Sequence, residues 1–200
     1  MSEKVLLACD IAYAHFGWVV MKGDSPVACG VIESEKDSDI KVSKDYFNRS
    51  IKIVSELEKI IKTYEIKAIL GEMPTGGAKS SRAAIQMQMA SAIMACICHL
   101  LDLPREFCSP NDVKIITTGK LTATKSEIMD FIIDRFGGKK TTKMVNCKAT
   151  VKNPTGRREE HVYHFLGQKL GVGRFEHVAD ALGAWLYLKV NGNLIKLMAL

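Results

Sequence analysis

Four side chains with the chemistry of metal ligands occupy positions that a fold can bring together. Asp10 follows the apolar run 5–9, and Glu72 ends the segment 67–71, whose core is also apolar. His177 and Asp180 are three residues apart in the apolar segment 176–189, so on a helix they project from one face. Carboxylates with one imidazole suit Mg²⁺ or Mn²⁺ better than structural zinc, which prefers cysteine and histidine. The pattern predicts a site, holding two ions, that hydrolyses phosphodiesters without a covalent intermediate.

Asp180 carries the most weight among these residues. An unpaired carboxylate is costly inside an apolar helix, so Asp180 requires a cation. Asp10 alone has a plainer interpretation as a turn residue, and Glu72 as an exposed loop acid. Glu176, directly before His177, is a rival for the position of fourth ligand. The joint occurrence of the acids favours the metal site over these separate readings.

The elements that must position these residues follow from the apolar pattern. The runs 5–9, 18–21 and 27–32 predict a three-stranded antiparallel meander, with a turn at 22–26. A helix is predicted from about Lys44 to Tyr64, and its sheet-facing side is set by apolar residues at steps of three and four, namely Phe47, Ile51, Val54, Leu57 and Ile61. The strand that ends at Glu72 follows. This strand, helix and strand order calls for a mixed central sheet.

The second half of the chain predicts four further helices around one more strand. Residues 81–101 are rich in helix formers with few charges, which predicts a largely buried helix. Residues 105–108 form a fifth strand, and Ser109-Pro110 begins a helix. A capping box at residues 124–127 opens a helix that runs to Phe136, and the last helix covers 176–189.

The positive charge of the chain is concentrated in one stretch. Residues 137–175 contain nine basic and two acidic residues, whereas the rest of the chain has 19 basic and 20 acidic ones. Such a concentration is typical of a surface that binds nucleic acid, although a solvated lysine-rich loop or contact with acidic lipid is the alternative. Arg157 and Arg158 are the candidate DNA contacts there. Residues 158–170 predict a short helix.

Size and composition limit the remaining possibilities. A chain of 200 residues with 47% hydrophobic residues suits one domain, 1–200, with one core. Neither a signal peptide nor a membrane span is expected, and the six cysteines lack a repeated spacing, which predicts reduced thiols and a cytoplasmic location. Cys147 with His161 and His164 gives only a weak zinc signal, because the spacing is loose.

Several segments resemble the RuvC family of Holliday junction resolvases. The similar segments are residues 7–18 around Asp10, residues 69–74 around Glu72, residues 109–125, and the closing segment 177–183 with His177 and Asp180. The resemblance implies an α/β, ribonuclease H-like fold with a central five-stranded mixed sheet flanked by helices. It also implies that Asp10, Glu72, His177 and Asp180 are both the catalytic and the metal-binding residues. The basic stretch, about 137–175, would be an insertion before the last helix.

The same resemblance implies how the protein meets its substrate. Lys114 and Lys125 would contact DNA phosphates, and we add Lys79 and Arg82 as further candidate contacts. The expected partners are branched DNA, above all four-way junctions, and a second copy of the chain in a homodimer. The helix at 81–101 has enough apolar surface to serve as core or as a dimer seam. Residues 75–80 lack the aromatic wedge that family members can carry, and the segment 139–173 is longer than the usual link.

Three other functions are alternatives to the resolvase. A nuclease of the same fold could act on flaps, forks or RNA–DNA hybrids. An actin-like or sugar-kinase-like phosphotransferase would need a glycine-rich phosphate loop and a second lobe, for which 200 residues are too few. A non-catalytic protein that binds branched DNA would not need the complete set of candidate ligands.

Overall fold

A five-stranded mixed sheet lies at the centre of the computed structural model, which describes residues 4–78, 80–148 and 155–199. The strands are β1 (Val5–Asp10), β2 (His15–Lys22), β3 (Ser25–Glu33), β4 (Ala68–Glu72) and β5 (Arg105–Cys108). Their order across the sheet is β3-β2-β1-β4-β5. The first three strands pair antiparallel, and β1, β4 and β5 pair parallel. The predicted meander and mixed sheet are confirmed.

Helices cover both faces of this sheet. One face carries α1 (Val42–Thr63) and α2 (Ser81–Leu100), and the other carries α3 (Pro110–Thr118), α4 (Lys125–Phe136) and α5 (Val172–Asn191). The short helix α6 (Leu194–Ala199) follows. The predicted capping box at Thr124 is present, and Ser109 forms a second one with Asp112. Local side chain to backbone bonds therefore fix the starts of α3 and α4.

The alternation of side chains along β1 assigns each residue to a layer. Leu7 and Cys9 pack with α1 and α2, while Leu6 and Ala8 pack with α5 on the opposite face. Asp10 continues the series of Leu6 and Ala8, so its side chain points toward α5. This alternation places the acid at the end of β1 on the face where α5 lies.

The sheet-facing side of α1 differs from the predicted one. Leu57 and Ile61 are buried as predicted, but Phe47, Ile51 and Val54 are 65%, 52% and 37% exposed. Polar residues occupy the buried side in the first half of the helix instead, where Asp45 and Arg49 pack.

A polar network makes this arrangement of α1 possible. The guanidinium of Arg49 lies 3.6 Å from Asp45, donates to Ser34 Oγ at 3.2 Å and stacks over the ring of Tyr13 at 4.6 Å. Buried polar groups are tolerated when they satisfy one another. The apolar residues Phe47, Ile51 and Val54 therefore form a flank of α1 that is exposed to solvent in the single chain.

Helix α2 is less buried than its composition predicts. Ala90, Ile93, Met94, Ile97 and Cys98 face the core, whereas Ile85 is 45% and Leu100 79% exposed. By length and composition alone the helix is apolar enough to cross a membrane, a test that core helices also pass. The prediction of a largely buried helix is wrong for the single chain.

The basic insertion forms a second sheet rather than a loop with a helix. Strands β6 (Lys139–Asn146), β7 (Arg157–Phe165) and β8 (Gln168–Gly171) pair antiparallel in that order. The predicted helix at 158–170 is wrong, because Leu166 and Gly167 both have positive φ and close a two-residue hairpin turn between β7 and β8. Tyr163, Phe165 and Leu170 anchor this sheet in the core beside α5.

Candidate metal centre and nucleic-acid interface

Two of the predicted ligands are neighbours across the central sheet. Asp10 on β1 is in register with Glu72 on β4, and both are the last residues of parallel strands. Side chains in register point to the same face, and Leu70, two residues before Glu72, packs on the α5 side. Both carboxylates therefore point to α5. Asp10 is buried, with 8% of its surface exposed.

Helix α5 brings the other two predicted ligands to this edge. A side chain at Gly17 on β2 would place its Cβ 2.3 Å from the carbonyl oxygen of His177, so only glycine allows α5 to lie this close to the sheet. Gly183 has the same role toward α3, where a Cβ would lie 2.5 Å from Val113. These two contacts set how far the side chains of α5 reach into the site.

His177 contacts Asp10 directly. Its Nδ1 lies 2.6 Å from Oδ2 of Asp10. Its ring stacks on that of His15, with the centroids 5.4 Å apart and the planes 6° from parallel. The sequence alone gave no sign of His15, because it stands on β2, 162 positions from its stacking partner. The stacked pair restricts the orientation of the His177 imidazole at the edge of the site.

The surroundings of Glu72 and Asp180 disfavour the charged form of each carboxyl group. Burial, followed by repulsion from Asp10 and Asp180, raises the pKa of Glu72 to about 9. Burial and the charge of Asp10 raise the pKa of Asp180 to about 7. Lys125 and Lys114 lower both values. Three carboxylates and two lysines thus act on one another in one place, although they come from β1, β4, α3, α4 and α5.

Glu176 has a different contact from its neighbour. Its carboxylate forms an ion pair with Lys125 at the start of α4. His177 instead turns toward Asp10, on the carboxylate side of α5. Of the two rivals for the fourth ligand position, the arrangement therefore favours His177.

The donor set fits a hard divalent cation. Across residues 4–78, 80–148 and 155–199, no three His, Cys, Asp or Glu side chains are already arranged to hold an ion. The bond between His177 and Asp10 uses one ligand atom of each. The raised pKa values of Glu72 and Asp180 nevertheless show that their negative charge lacks compensation, which a divalent ion would supply. Oxygen donors with one imidazole suit Mg²⁺ or Mn²⁺.

A cleft of about 510 Å³ opens beside His177. It is lined by His15 and Glu33 from the central sheet, by Glu160 from β7 and by Arg174 from α5. Arg174 makes a bidentate pair with Glu33, at 2.7 and 2.6 Å, which lowers the pKa of that glutamate. The cleft therefore extends from His177, which contacts Asp10, to the second sheet.

Solved structures share this architecture, although no protein-family model and no curated protein sequence matches the chain. RuvC of Thermus thermophilus in complex with a Holliday junction substrate matches with a TM-score of 0.63 and 15% identity, over 96% of both chains. The yeast mitochondrial Holliday junction resolvase Ydc2 matches with a TM-score of 0.57 and 12% identity, over 98% of this chain and 85% of that one. The chain has the RuvC fold.

The candidate DNA contacts are distributed unevenly over this RuvC fold. Lys114 and Lys125 lie near the carboxylates, and Arg82 is exposed in the first turn of α2. Lys79 lies outside the described residues. Arg157 and Arg158 are both exposed on β7, but as strand neighbours they point to opposite faces.

The weak zinc signal does not assemble into a site among the described residues of the RuvC fold. His161 and His164 lie three apart on a strand, so they point to opposite faces of β7. His161 is hydrogen-bonded to Thr142 at 3.1 Å, and His164 to Thr141 at 3.2 Å. Both rings are thus engaged with β6. On the short helix predicted for residues 158–170 the two histidines would share one side, but the observed strand separates them.

The carboxylate site predicts an unusual pH dependence for the metal-free protein. Because the folded-state pKa values of Asp180 and Glu72 are raised, their contribution to stability is present below about pH 4 and is lost as the pH rises through about 7 and then 9. With a chelator present, the thermal midpoint should therefore fall between pH 6 and 9.5. Mg²⁺ should restore it, most strongly at high pH.

The variant Glu72→Gln separates this effect from general alkaline unfolding. The substitution removes the carboxylate that has the larger of the two raised pKa values. The thermal midpoint of the metal-free protein at pH 9.5 should therefore rise, by roughly 2–4 °C for each kcal/mol of unfolding free energy recovered. Thermal unfolding followed by circular dichroism measures both proteins. Equal losses in the two proteins between pH 6 and 9.5 would show that Glu72 does not titrate as described.

Proposed function

We propose that this protein is a divalent-metal-dependent endonuclease that hydrolyses phosphodiester bonds in branched DNA, with four-way junctions as its preferred substrate. The observation that carries the proposal is the meeting of Asp10, Glu72 and Asp180 beside Lys114 and Lys125, at the strand ends of a RuvC fold. An anionic pocket lets metal ions bind next to a phosphate, and the lysines attract that phosphate.

Each residue then has a defined role in the reaction. Asp10, Glu72 and Asp180 would hold Mg²⁺ or Mn²⁺, two ions for each site, with His177 as the fourth ligand. When bound, these ions make a water more acidic and stabilise the charge that develops on the phosphate and the leaving oxygen. Lys114 and Lys125 hold the scissile phosphate against the carboxylates. His15 keeps the imidazole of His177 at the edge of the site through ring stacking.

The apolar surface of the α1 and α2 layer supports a homodimer as the proposed assembly. Phe47, Ile51 and Val54 lie on one flank of α1, while Lys52 and Lys59 line a groove on the other flank. The outer stripe of α2 is exposed and contains no Asp, Glu, Lys or Arg. It consists of Ser81, Ile85, Gln88, Ala92, Ala95, Cys96 and His99. Contiguous exposed helix faces without charged residues are typical of sites of protein interaction. A second copy placed there would match the two-fold symmetry of a four-way junction.

A substrate panel tests the proposed activity. Labelled four-way junction, replication fork, flap, RNA–DNA hybrid and linear duplex are each incubated with the protein and Mg²⁺. We expect paired cuts in the junction, weaker cutting of the other branched DNAs, and none without the metal. Equal cutting of linear duplex would contradict a branched-DNA enzyme, and preferred cutting of flaps or hybrids would assign the same site to a different nuclease.

A further inference from the structure

The second sheet has two faces with different contents. The side chains of Tyr163, Phe165 and Leu170 enter the core, and the residues in register with them or two positions away share that face. The opposite face contains one buried side chain, Val162, and its other described residues are exposed or half-buried. We call it the hairpin face, and its basic or imidazole side chains are Lys139, Lys143, Arg158, His164 and Lys169.

Positive charge is concentrated on the hairpin face. It carries four lysines and arginines and one carboxylate, Glu160, which lies 2.9 Å from Lys143. The core-side face of the same three strands carries two cations, Lys140 and Arg157, and one carboxylate, Glu159. Lys140 is held by Asp130 at 2.8 Å. The strand alternation therefore gives the hairpin face a net charge of +3 and the core-side face a net charge of +1.

The hairpin face is continuous with the carboxylate site. Glu160, in the middle of β7, lines the same cleft as His15 and His177. Arg174, at the cleft wall, is neutralised by its bidentate pair with Glu33. A polyanion that leaves the metal centre along this cleft meets the cations of the hairpin face next.

We propose that the hairpin face binds the phosphate backbone of the DNA arm that leaves the carboxylate site, an inference that rests on the proposed function. Lys139 and Lys143 are four residues apart on β6, which is roughly 13 Å along a strand. At about 3.4 Å of helix axis for each phosphate of one strand, this length matches about four phosphates. Backbone contacts of this kind position a duplex without reading its sequence.

Arg157 and Arg158 are adjacent in the sequence but lie on opposite faces of β7. Arg158 lies on the hairpin face, opposite Val145, while Arg157 lies on the other face, opposite Asn146. Both are exposed and identical in type, so they form a matched pair of test and control. The contact with DNA is assigned to Arg158 alone.

The experiment measures how DNA affinity depends on salt. Binding of a four-way junction and of a linear duplex is followed by fluorescence anisotropy in the Asp10→Asn background, so that no cleavage occurs. The triple variant Lys139→Ala, Arg158→Ala and Lys169→Ala should reduce the slope of log K against log salt by about 2–3, at about 0.9 for each lost phosphate contact. Arg158→Ala alone should reduce it by about 0.9 and Arg157→Ala should leave it unchanged.

Two results would overturn the inference. One is an unchanged slope in the triple variant at an unchanged thermal midpoint. The other is an equal loss of slope in Arg157→Ala and Arg158→Ala, which would indicate only a diffuse effect of charge. The proposed activity fails separately, when the wild-type protein cuts no branched substrate in the panel. Since the slope is measured without cleavage, the two failures are distinguishable.

Discussion

Asp10→Asn and Asp180→Asn are each expected to reduce junction cleavage by at least about 10³-fold, while the affinity for the junction stays close to that of the wild-type protein. The loss corresponds to about 4 kcal/mol of transition-state stabilisation, the order that bound divalent ions contribute. Affinity should persist because it resides in the lysines and arginines rather than in the carboxylates. Single-turnover cleavage and anisotropy, the latter measured with a chelator, report the two quantities separately.

Asp134→Asn is the matched control for these variants. Asp134 is exposed on α4 and makes no ion pair among the described residues, so its neutralisation changes the net charge by the same amount. It should cut junctions at the wild-type rate. Parallel losses of binding and cleavage in Asp10→Asn, with a lower thermal midpoint, would show that the acid supports the fold and not the reaction.

Phe47→Glu combined with Ile51→Glu is expected to produce a monomer. The two side chains are 65% and 52% exposed on the open flank of α1, so the single chain loses little packing. In a dimer the new carboxylates would be buried without partners, at a cost on the order of 3 kcal/mol, which weakens association roughly 100-fold. Sedimentation velocity at micromolar concentration measures this change.

The cleavage products of the same variant provide a second measurement. A dimer cuts both strands of a cruciform in supercoiled DNA and yields linear product, whereas a monomer releases the tension with one nick. The double variant should therefore accumulate nicked circles. Thr63→Glu, on the groove flank of α1, adds a charge without touching the apolar flank and should remain dimeric. A wild-type protein that is monomeric, or a double variant that still dimerises, contradicts the assigned surface.

The sequence was most informative where a local pattern has one physical solution. Apolar runs bounded by turn residues predicted the meander and the mixed sheet, and the acids that end two of these runs gave the positions of Asp10 and Glu72. N-cap contacts act within four residues, so the start of α3 was predicted from Ser109 followed by Pro110 and the start of α4 from the capping box at Thr124. Asp180 was identified because a carboxylate among apolar neighbours requires compensation wherever the helix packs.

Patterns that depend on distant partners misled the sequence interpretation. The apolar spacing of α1 pointed to Phe47, Ile51 and Val54 as the buried side, but Asp45 and Arg49 take that side because Tyr13 and Ser34 satisfy them. The segment 158–170 lacked a clear period, and its strands exist because β6 pairs with β7 and a left-handed turn closes β7 on β8. Neither set of partners is visible within a local window.

The candidate metal ligands were determined by the sequence itself, because residue type and position after a strand or on a helix face are local properties. Their meeting was decided by the tertiary structure, which needs the register of β1 with β4 and the close approach of α5 at Gly17. The stacking of His15 on His177 and the separation of Arg157 from Arg158 arose in the same way. These properties depend on which surfaces pack together, and packing joins residues that are far apart along the chain.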